Sequence, residues 1–233
     1  MIIFDSTGGL HKDREDIKAD KRFYRKWELC EKTNPKKIND VEEACKGADV
    51  LIAVSQPGPD VVKPSWIKAM GTKPIVFACA NPVPEIYPYA AKEAGAYIVA
   101  TGRGDFPNQV NNSLGFPGIL KGALLVRARK ITDEMAITAA YSMANYAQKK
   151  GINPDYIMPK MDETEMFAYE AADVAMEAIK NGVARIKLDH AAVVKKTLDD
   201  IKLTRDTIDM MMVNNFIHRP DVKILEEALK KAV

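Results

Sequence analysis

The stretch GADVLIAVSQPGP, residues 47–59, decides the fold that we predict for this chain of 233 residues. Its centre, residues 50–54, is a continuous apolar run, which is typical of a strand covered on both faces. The Ser-Gln-Pro-Gly segment that follows predicts a loop, because proline and glycine interrupt strand pairing. Before the strand, Asp40 is placed to cap a short helix that ends at Gly47.

The same alternation continues along the first half of the chain. Pro64 suits the first turn of a helix, and residues 74–79 form the next apolar strand. Pro88 then opens another helix, and residues 97–100 form a further strand. Strands that alternate with helices at this spacing predict βαβ units, and therefore an α/β fold with a parallel sheet.

The second half shows helical periodicity from Gly118 onward. Apolar residues at every fourth position from Phe167 to Ile179 mark one helix, which ends at Gly182. A later helix carries a stripe close to a heptad pattern, formed by Val194, Leu198, Ile201, Ile208 and Met212. This stripe either packs against the rest of the chain or forms a subunit interface, and the sequence leaves both open.

Composition and charge exclude several classes of protein. Lys and Arg total 34 and Asp and Glu total 32, so the net charge of +2 does not favour binding to nucleic acid. No apolar run is long enough to span a bilayer, and the first residues lack the features of a signal peptide. We therefore expect no membrane partner and a cytoplasmic protein. The cysteines, Cys30, Cys45 and Cys79, contain no CxxC pair and predict no disulfide framework or zinc site.

Polar segments follow the predicted strands, at the edge where open parallel sheets bind their ligands. Asp5 ends an N-terminal strand at residues 2–5, where its carboxylate suits ribose hydroxyls or the bonding of its own turn. Asn81 follows the strand at residues 74–79 and offers both a donor and an acceptor. A long polar loop follows the last strand and ends in the run NQVNN, residues 108–112. Such a loop favours a functional role over a purely structural turn.

Taken together, these segments resemble the NAD-binding domain of malic enzymes. The resemblance rests on GADVLIAVS at 47–55, FACANP at 77–82, and ATGRGDFPNQVNN at 100–112, and covers at least residues 1–150. It implies a Rossmann-like, doubly wound parallel sheet with a helical C-terminal extension. The domain bounds that we predict are 1–130 for the NAD-binding domain and 131–233 for the extension.

The glycine-rich dinucleotide fingerprint of the family does not precede Asp5. The resemblance therefore implies that the strand ending at Asp5 is the second strand of the dinucleotide fold, and that the first strand is lacking. In this fold the first strand is central, so its loss leaves neighbouring strands with unpaired edges.

Malic enzymes oxidise (S)-malate with NAD or NADP and decarboxylate the product to pyruvate, using Mg²⁺ or Mn²⁺. The resemblance implies cofactor contacts from Asp5, Val54, Ser55, Gln56, Asn81 and Asn112, and substrate contacts from Asn81, Asn111 and Asn112. The family's tyrosine acid, lysine base and metal-binding carboxylates lie outside the matched segment. We therefore assign no catalytic or metal-binding residue to this chain, and expect metal only through residues outside it.

Three hypotheses follow. The chain is the C-terminal half of a malic enzyme that works with a separate N-terminal half and is inactive alone. Alternatively, it is a non-catalytic remnant that forms a homo-oligomer through its helices, or a module that binds a small ligand or nucleotide. Asp5 favours NAD, because its charge repels a 2′-phosphate, whereas Ser6 and Thr7 leave NADP open.

Overall fold

The computed structural model describes residues 1–218 and 221–232, which form two compact units. The first unit contains residues 1–111 and 147–160, and the second contains residues 112–146 and the described chain from 161 onward. The domains predicted from the sequence have other bounds, and those bounds remain a prediction. Within the described ranges, no helix is both long and apolar enough to cross a membrane.

The N-terminal strand forms a hairpin and does not join the parallel sheet. β1 (Phe4–Asp5) pairs antiparallel with β2 (Gly8–Gly9) as a separate two-stranded sheet. The turn closes because Asp5 Oδ1 accepts hydrogen bonds from the backbone N–H groups of Thr7 and Gly8, at 2.9 and 3.1 Å. Gly8 has a φ of 140°, which a residue with a side chain would oppose. The expected place of this strand in the parallel sheet is therefore wrong, because local turn bonds pair it elsewhere.

The first unit contains, among its described residues, a parallel sheet with the order β3 (Val50–Ala53), β4 (Ile75–Ala78) and β5 (Ile98–Thr101). Leu51 lies opposite Val76, and Val76 lies opposite Val99. The predicted alternation of strands and helices is confirmed here, and so is the α/β class.

Short helices surround this sheet and the hairpin. They are α1 (Glu15–Ala19), α2 (Tyr24–Lys32), α3 (Val41–Cys45), α4 (Pro64–Lys68) and α5 (Pro88–Glu93). Asp40 caps α3 as predicted, since its carboxylate accepts a hydrogen bond of 2.7 Å from the backbone N–H of Glu43. Pro64 and Pro88 both occupy the first helical turn, where a missing N–H costs nothing.

β3 is covered on one face only, which corrects the prediction made from its apolar run. Leu51 and Ala53 pack against the core, but Val50 and Ile52 are 46% and 66% exposed. Val54, just beyond the strand, is 78% exposed. Among the described residues β3 pairs with β4 alone, so its other edge presents unpaired backbone groups.

The second half of the chain is helical, as predicted. Its helices are α6 (Asn112–Leu125), α7 (Asp133–Lys150), α8 (Thr164–Lys180), α9 (His190–Val213) and α10 (Val222–Ala232). α6 begins before the predicted start at Gly118, because the helix continues through Pro117, which removes only one backbone donor. α6 and α8 approach closely: a Cβ at Gly122 would lie 2.4 Å from the carbonyl oxygen of Ala171.

A carboxyl group is buried at this helix contact. Glu170 of α8 is fully buried, and neither carboxylate oxygen makes a hydrogen bond within the described chain. A Cβ at Gly118 would lie only 2.1 Å from Glu170 Oε2, so α6 needs glycine there. Burial raises the pKa of Glu170 to about 8, although the nearby Gly118 amide acts in the opposite direction.

The long helix α9 changes its surroundings along its length. Val193 and Thr197 are buried near its start. Leu203, Met210 and Val213, in its second half, are between 59% and 72% exposed. In the heptad-like stripe itself, Val194 packs against the core of the second unit, whereas Leu198 and Ile208 are 36% and 41% exposed, so both readings of the stripe stay open.

Candidate functional site

Loops leave the carboxyl ends of β3, β4 and β5 at one edge of the sheet. They carry five of the predicted site residues: Val54, Ser55 and Gln56 in the β3 loop, Asn81 in the β4 loop and Asn111 in the β5 loop. In open parallel sheets this edge is where ligands bind. The loops are therefore the candidate site, and their mutual contacts decide how its side chains are held.

Gly102 brings two of the predicted residues together. Asn111 Nδ2 donates a hydrogen bond of 2.9 Å to the carbonyl oxygen of Gly102. A Cβ built on Gly102 would lie 2.7 Å from Asn81 Nδ2, so the exposed Asn81 side chain lies directly against this glycine. The structure thus gathers two amide side chains around one buried backbone position.

Arg103 links the β4 and β5 loops. Its Nη1 donates a hydrogen bond of 3.1 Å to the carbonyl oxygen of Pro82. Its Nε and Nη2 bind both carboxylate oxygens of Asp105, at 2.8 and 2.6 Å, and lower the pKa of that carboxyl group. The guanidinium group also lies over the ring of Phe106. Sequence reasoning assigned no role to Arg103, because nothing in the sequence shows which loop it reaches.

Glu85 belongs to the β4 loop and connects it to the β3 loop through its side chain. Its buried carboxylate accepts hydrogen bonds from the Ser55 backbone N–H at 2.8 Å and from the Ser55 hydroxyl at 3.1 Å. The other oxygen accepts one from the Ala80 backbone N–H at 2.9 Å. Sequence reasoning missed this residue too. An acid beside prolines in a strand-end loop was the available signal.

The β5 loop is fixed at its base. The Val110 N–H donates a hydrogen bond of 2.7 Å to the Thr101 carbonyl oxygen, which closes the loop. The buried Asn108 amide donates to the Pro154 carbonyl oxygen and accepts from the Ile157 N–H, each at 2.8 Å. These bonds hold the segment from which Asn111 projects.

The remaining predicted residues near these loops are exposed. Val54 and Gln56 lie in the β3 loop, and their proposed cofactor contacts remain predictions. Asn112 is exposed at the start of α6 and belongs to the second compact unit. Its proposed contacts with substrate and nicotinamide are likewise untested.

Asp5 lies in the N-terminal hairpin, with its carboxylate already engaged. Arg14 donates to both oxygens at 3.1 Å, and the Lys26 ammonium group donates to Oδ2. Burial raises the pKa of Asp5, but the hydrogen bonds from these two cations outweigh that effect and hold the pKa far below its usual range. With the turn amides of Thr7 and Gly8 added, the donors fill the roughly four acceptor positions of a carboxylate. A ribose hydroxyl would therefore have to displace one of them.

The described residues do not form a metal centre. No group of three His, Cys, Asp or Glu side chains within them is arranged to hold a metal ion. The amides and backbone groups of the strand-end loops instead suit a polar organic ligand, because they offer neutral donors and acceptors at one exposed edge.

Comparison with known proteins identifies a family. Residues 1–181 match the family described as "Malic enzyme, NAD binding domain". The chain is 39% identical over 186 residues to the NAD-dependent malic enzyme of Geobacillus stearothermophilus, covering 79% of this chain and 37% of the relative. It is 35% identical over 216 residues to the NADP-dependent malic enzyme of Halomonas elongata, covering 86% and 49%.

A solved structure agrees along nearly the whole chain. The crystal structure of the malic enzyme of Entamoeba histolytica superposes with a TM-score of 0.95 and 62% sequence identity, covering 99% of this chain and 48% of that one. The chain thus spans about half the length, or less, of these relatives. Since the family match covers residues 1–181 of 233, the chain belongs to the malic enzyme family and contains its NAD-binding domain.

Proposed function

We propose that this chain supplies the cofactor-binding half of a malic enzyme, which converts (S)-malate to pyruvate and CO₂ with NAD or NADP. The observation that carries the proposal is the convergence of Asn81 and Asn111 on Gly102, at the carboxyl edge of the parallel sheet. Membership of the malic enzyme family supports the choice of malate as substrate.

In this proposal the asparagines position the substrate and do not transfer protons. A neutral amide donates to a carboxylate and accepts from a hydroxyl, so Asn81 and Asn111 suit the polar groups of malate. When bound, the nicotinamide supplies the acceptor for the hydride that leaves C2 of malate. Because the described residues offer no metal centre, we derive no metal-dependent step for this chain.

A separate polypeptide with the family's other half completes the proposed enzyme. The match covers about half of each relative, so each relative contains a second half beyond the segment matched here. The unpaired edge of β3, with exposed Val50 and Ile52, supports the docking of a further strand. We expect the isolated chain to show no malate turnover and only weak dinucleotide binding.

Self-association is the alternative that a specific observation favours. Leu203, Met210 and Val213 are exposed apolar residues on α9, and such residues suit contact with a second copy of the chain. In that case the chain is a non-catalytic homo-oligomer. A module that binds a small ligand or nucleotide without redox chemistry is the third reading, and it also uses the asparagine loops.

The deciding experiment isolates the native complex from source cells through a tag on this chain and measures its mass. A heavier partner with a glycine-rich dinucleotide fingerprint, together with malate-dependent reduction of NAD or NADP, supports the proposal. A homo-oligomer without turnover contradicts it.

In the active complex we expect Asn112→Ala to impair malate turnover without affecting assembly. Asn145→Ala, at an exposed position of α7, is the matched control, and equal kinetics for both variants would remove Asn112 from the site.

A further inference from the structure

Glu85 is a fully buried acid whose partners all lie at the candidate site. It accepts two hydrogen bonds from Ser55 at Oε1 and one from Ala80 at Oε2. Its own carbonyl oxygen accepts a hydrogen bond of 3.0 Å from the Val62 N–H. A buried carboxylate is costly to desolvate, so these donors are needed to keep it in place.

The two carboxylate oxygens act on different loops. Oε1 binds the loop that leaves β3, at the predicted cofactor residue Ser55. Oε2 turns back onto Ala80, the residue directly before Asn81 in the loop that leaves β4. One rigid group therefore sets the separation of the two loops.

We propose that Glu85 is a positioning residue, which fixes Ser55 and Asn81 relative to each other at the carboxyl edge of the sheet. This inference deepens the proposed function and rests on it for the identity of the ligand. Glu85 itself does not touch the ligand, since it is fully buried.

Glutamate is required because both of its oxygens accept hydrogen bonds. Glutamine has almost the same shape, but its amide nitrogen only donates and would face either the Ser55 or the Ala80 N–H. Aspartate keeps both acceptors, but it is one methylene shorter and cannot keep both contacts from the same backbone position. A positioning role therefore predicts that both substitutions release one loop.

The first test measures loop order in the full chain by amide hydrogen exchange and NMR, and needs no enzyme activity. In Glu85→Gln we expect the Ser55 or the Ala80 amide to exchange about tenfold faster, as for loss of one hydrogen bond. The signals of Asn81 should shift or broaden, whereas those of Val76, inside β4, should stay unchanged. If the Ser55 or the Ala80 amide exchanges faster while the NMR signals of Asn81 stay unchanged, the proposal is overturned.

The second test uses the active complex. We expect Glu85→Gln to lower kcat/KM for malate at least tenfold while the complex still assembles. Glu93→Gln, an exposed acid on α5, is the matched control. Val99→Ala removes buried core contacts and serves as a purely structural comparison. If Val99→Ala and Glu85→Gln lower the thermal midpoint equally and also lower kcat/KM equally, the positioning role is contradicted.

A third variant tests the proposal even if Glu85→Gln does not fold. Ser55→Ala removes the hydroxyl donor but keeps the backbone N–H on Glu85, so the fold should survive. We expect it to disturb the signals of Asn81 through Glu85 as well, and undisturbed signals would count against the link. If the wild-type complex has no malate turnover, the proposed function fails, whereas the test of loop order still decides the role of Glu85.

Discussion

At the scale of single residues, Gly102 is in close contact with Asn81 at the candidate site. An alanine there would place its Cβ 2.7 Å from Asn81 Nδ2, and the Asn81 side chain would have to move. We expect Gly102→Ala to lower malate turnover by at least tenfold while the thermal midpoint changes by only a few degrees. Steady-state kinetics of the complex and thermal melting of the chain measure the two effects.

Gly104→Ala is the matched control for this prediction. The three atoms nearest to the added Cβ all belong to the flexible side chain of Gln109 in the same loop, the first at 3.2 Å. Kinetics that fall equally in both variants would mean that the loop responds to any added side chain, and that the contact between Asn81 and Gly102 has no special role.

From the carboxylate of Asp5 we predict a preference for NAD over NADP. Removing it leaves Arg14 and Lys26 without their shared anion, and these cations can then attract a 2′-phosphate. We expect Asp5→Ser to weaken NAD binding and to lower the preference for NAD over NADP, measured as the ratio of kcat/KM values. Asp16→Ser is the control, because Asp16 also pairs with Arg14 but is more exposed. An unchanged ratio would leave Asp5 as a turn residue only.

The buried Glu170 predicts a pH dependence of stability. Its pKa rises from 4.5 to about 8 on folding, so the neutral form is favoured in the folded state. This contribution to stability is fully present below pH 4.5 and is lost as the pH rises to about 8. We expect the thermal midpoint of the wild type to fall over this interval relative to Glu170→Gln. Parallel curves for the two proteins, with Glu165→Gln as an exposed control, would contradict this.

The sequence predicted the loop positions of the amide side chains, but it did not identify the residues that connect these loops. The positions of Asn81 and Asn111 in strand-end loops could be predicted, because loops that follow the strands of a parallel sheet lie at its ligand-binding edge, whereas their contacts with a ligand stay predictions. Glu85 and Arg103 act through contacts with other loops, at sequence separations of 30 and 21 residues. Local patterns carry no information about such pairs.

At the scale of elements, the open edge of β3 predicts where a partner docks. Ile52→Lys places a charge on the exposed face beside the unpaired edge, and should prevent association with the other half of the enzyme. Folding should be unaffected, because Ile52 is 66% exposed. Native mass measurement of the tagged complex tests this directly.

Leu203→Lys on α9 provides the comparison for that experiment. This residue is 65% exposed on a different element, so its substitution should leave a complex built on β3 intact. If Leu203→Lys dissociates the assembly and Ile52→Lys does not, α9 is the interface and the homo-oligomer reading gains support.

Element prediction succeeded where the local signal agreed with the fold. Asp40, Pro64 and Pro88 marked helix starts that the structure confirms. The predicted helical periodicity begins at Gly118, whereas α6 begins at Asn112 and continues through Pro117. Tertiary contacts, including the buried Glu170 against Gly118, hold that helix.

At the scale of the whole molecule, the sequence predicted the α/β class but not the pairing of the N-terminal strand. A strand pattern specifies extended backbone without specifying its neighbour. The backbone N–H groups of Thr7 and Gly8 donate hydrogen bonds to Asp5 and close a turn that pairs β1 with β2, only a few residues away. The coverage of β3 was also overestimated, because an apolar run does not show which face of a strand its neighbours cover.

The bonds of Asn108 have a consequence for how the molecule is made. Ribosomal synthesis runs from the N-terminus, and Asn108 emerges 46 residues before Pro154 and 49 residues before Ile157. During that interval residues 112–146, which belong to the other compact unit, are added between the two ends of the contact. A nascent chain that stops in this region contains β3, β4 and β5, yet the loop that carries Asn111 still lacks its hydrogen bonds to Pro154 and Ile157. The full anchoring of this loop is therefore acquired late in translation, after β3, β4 and β5 have been made.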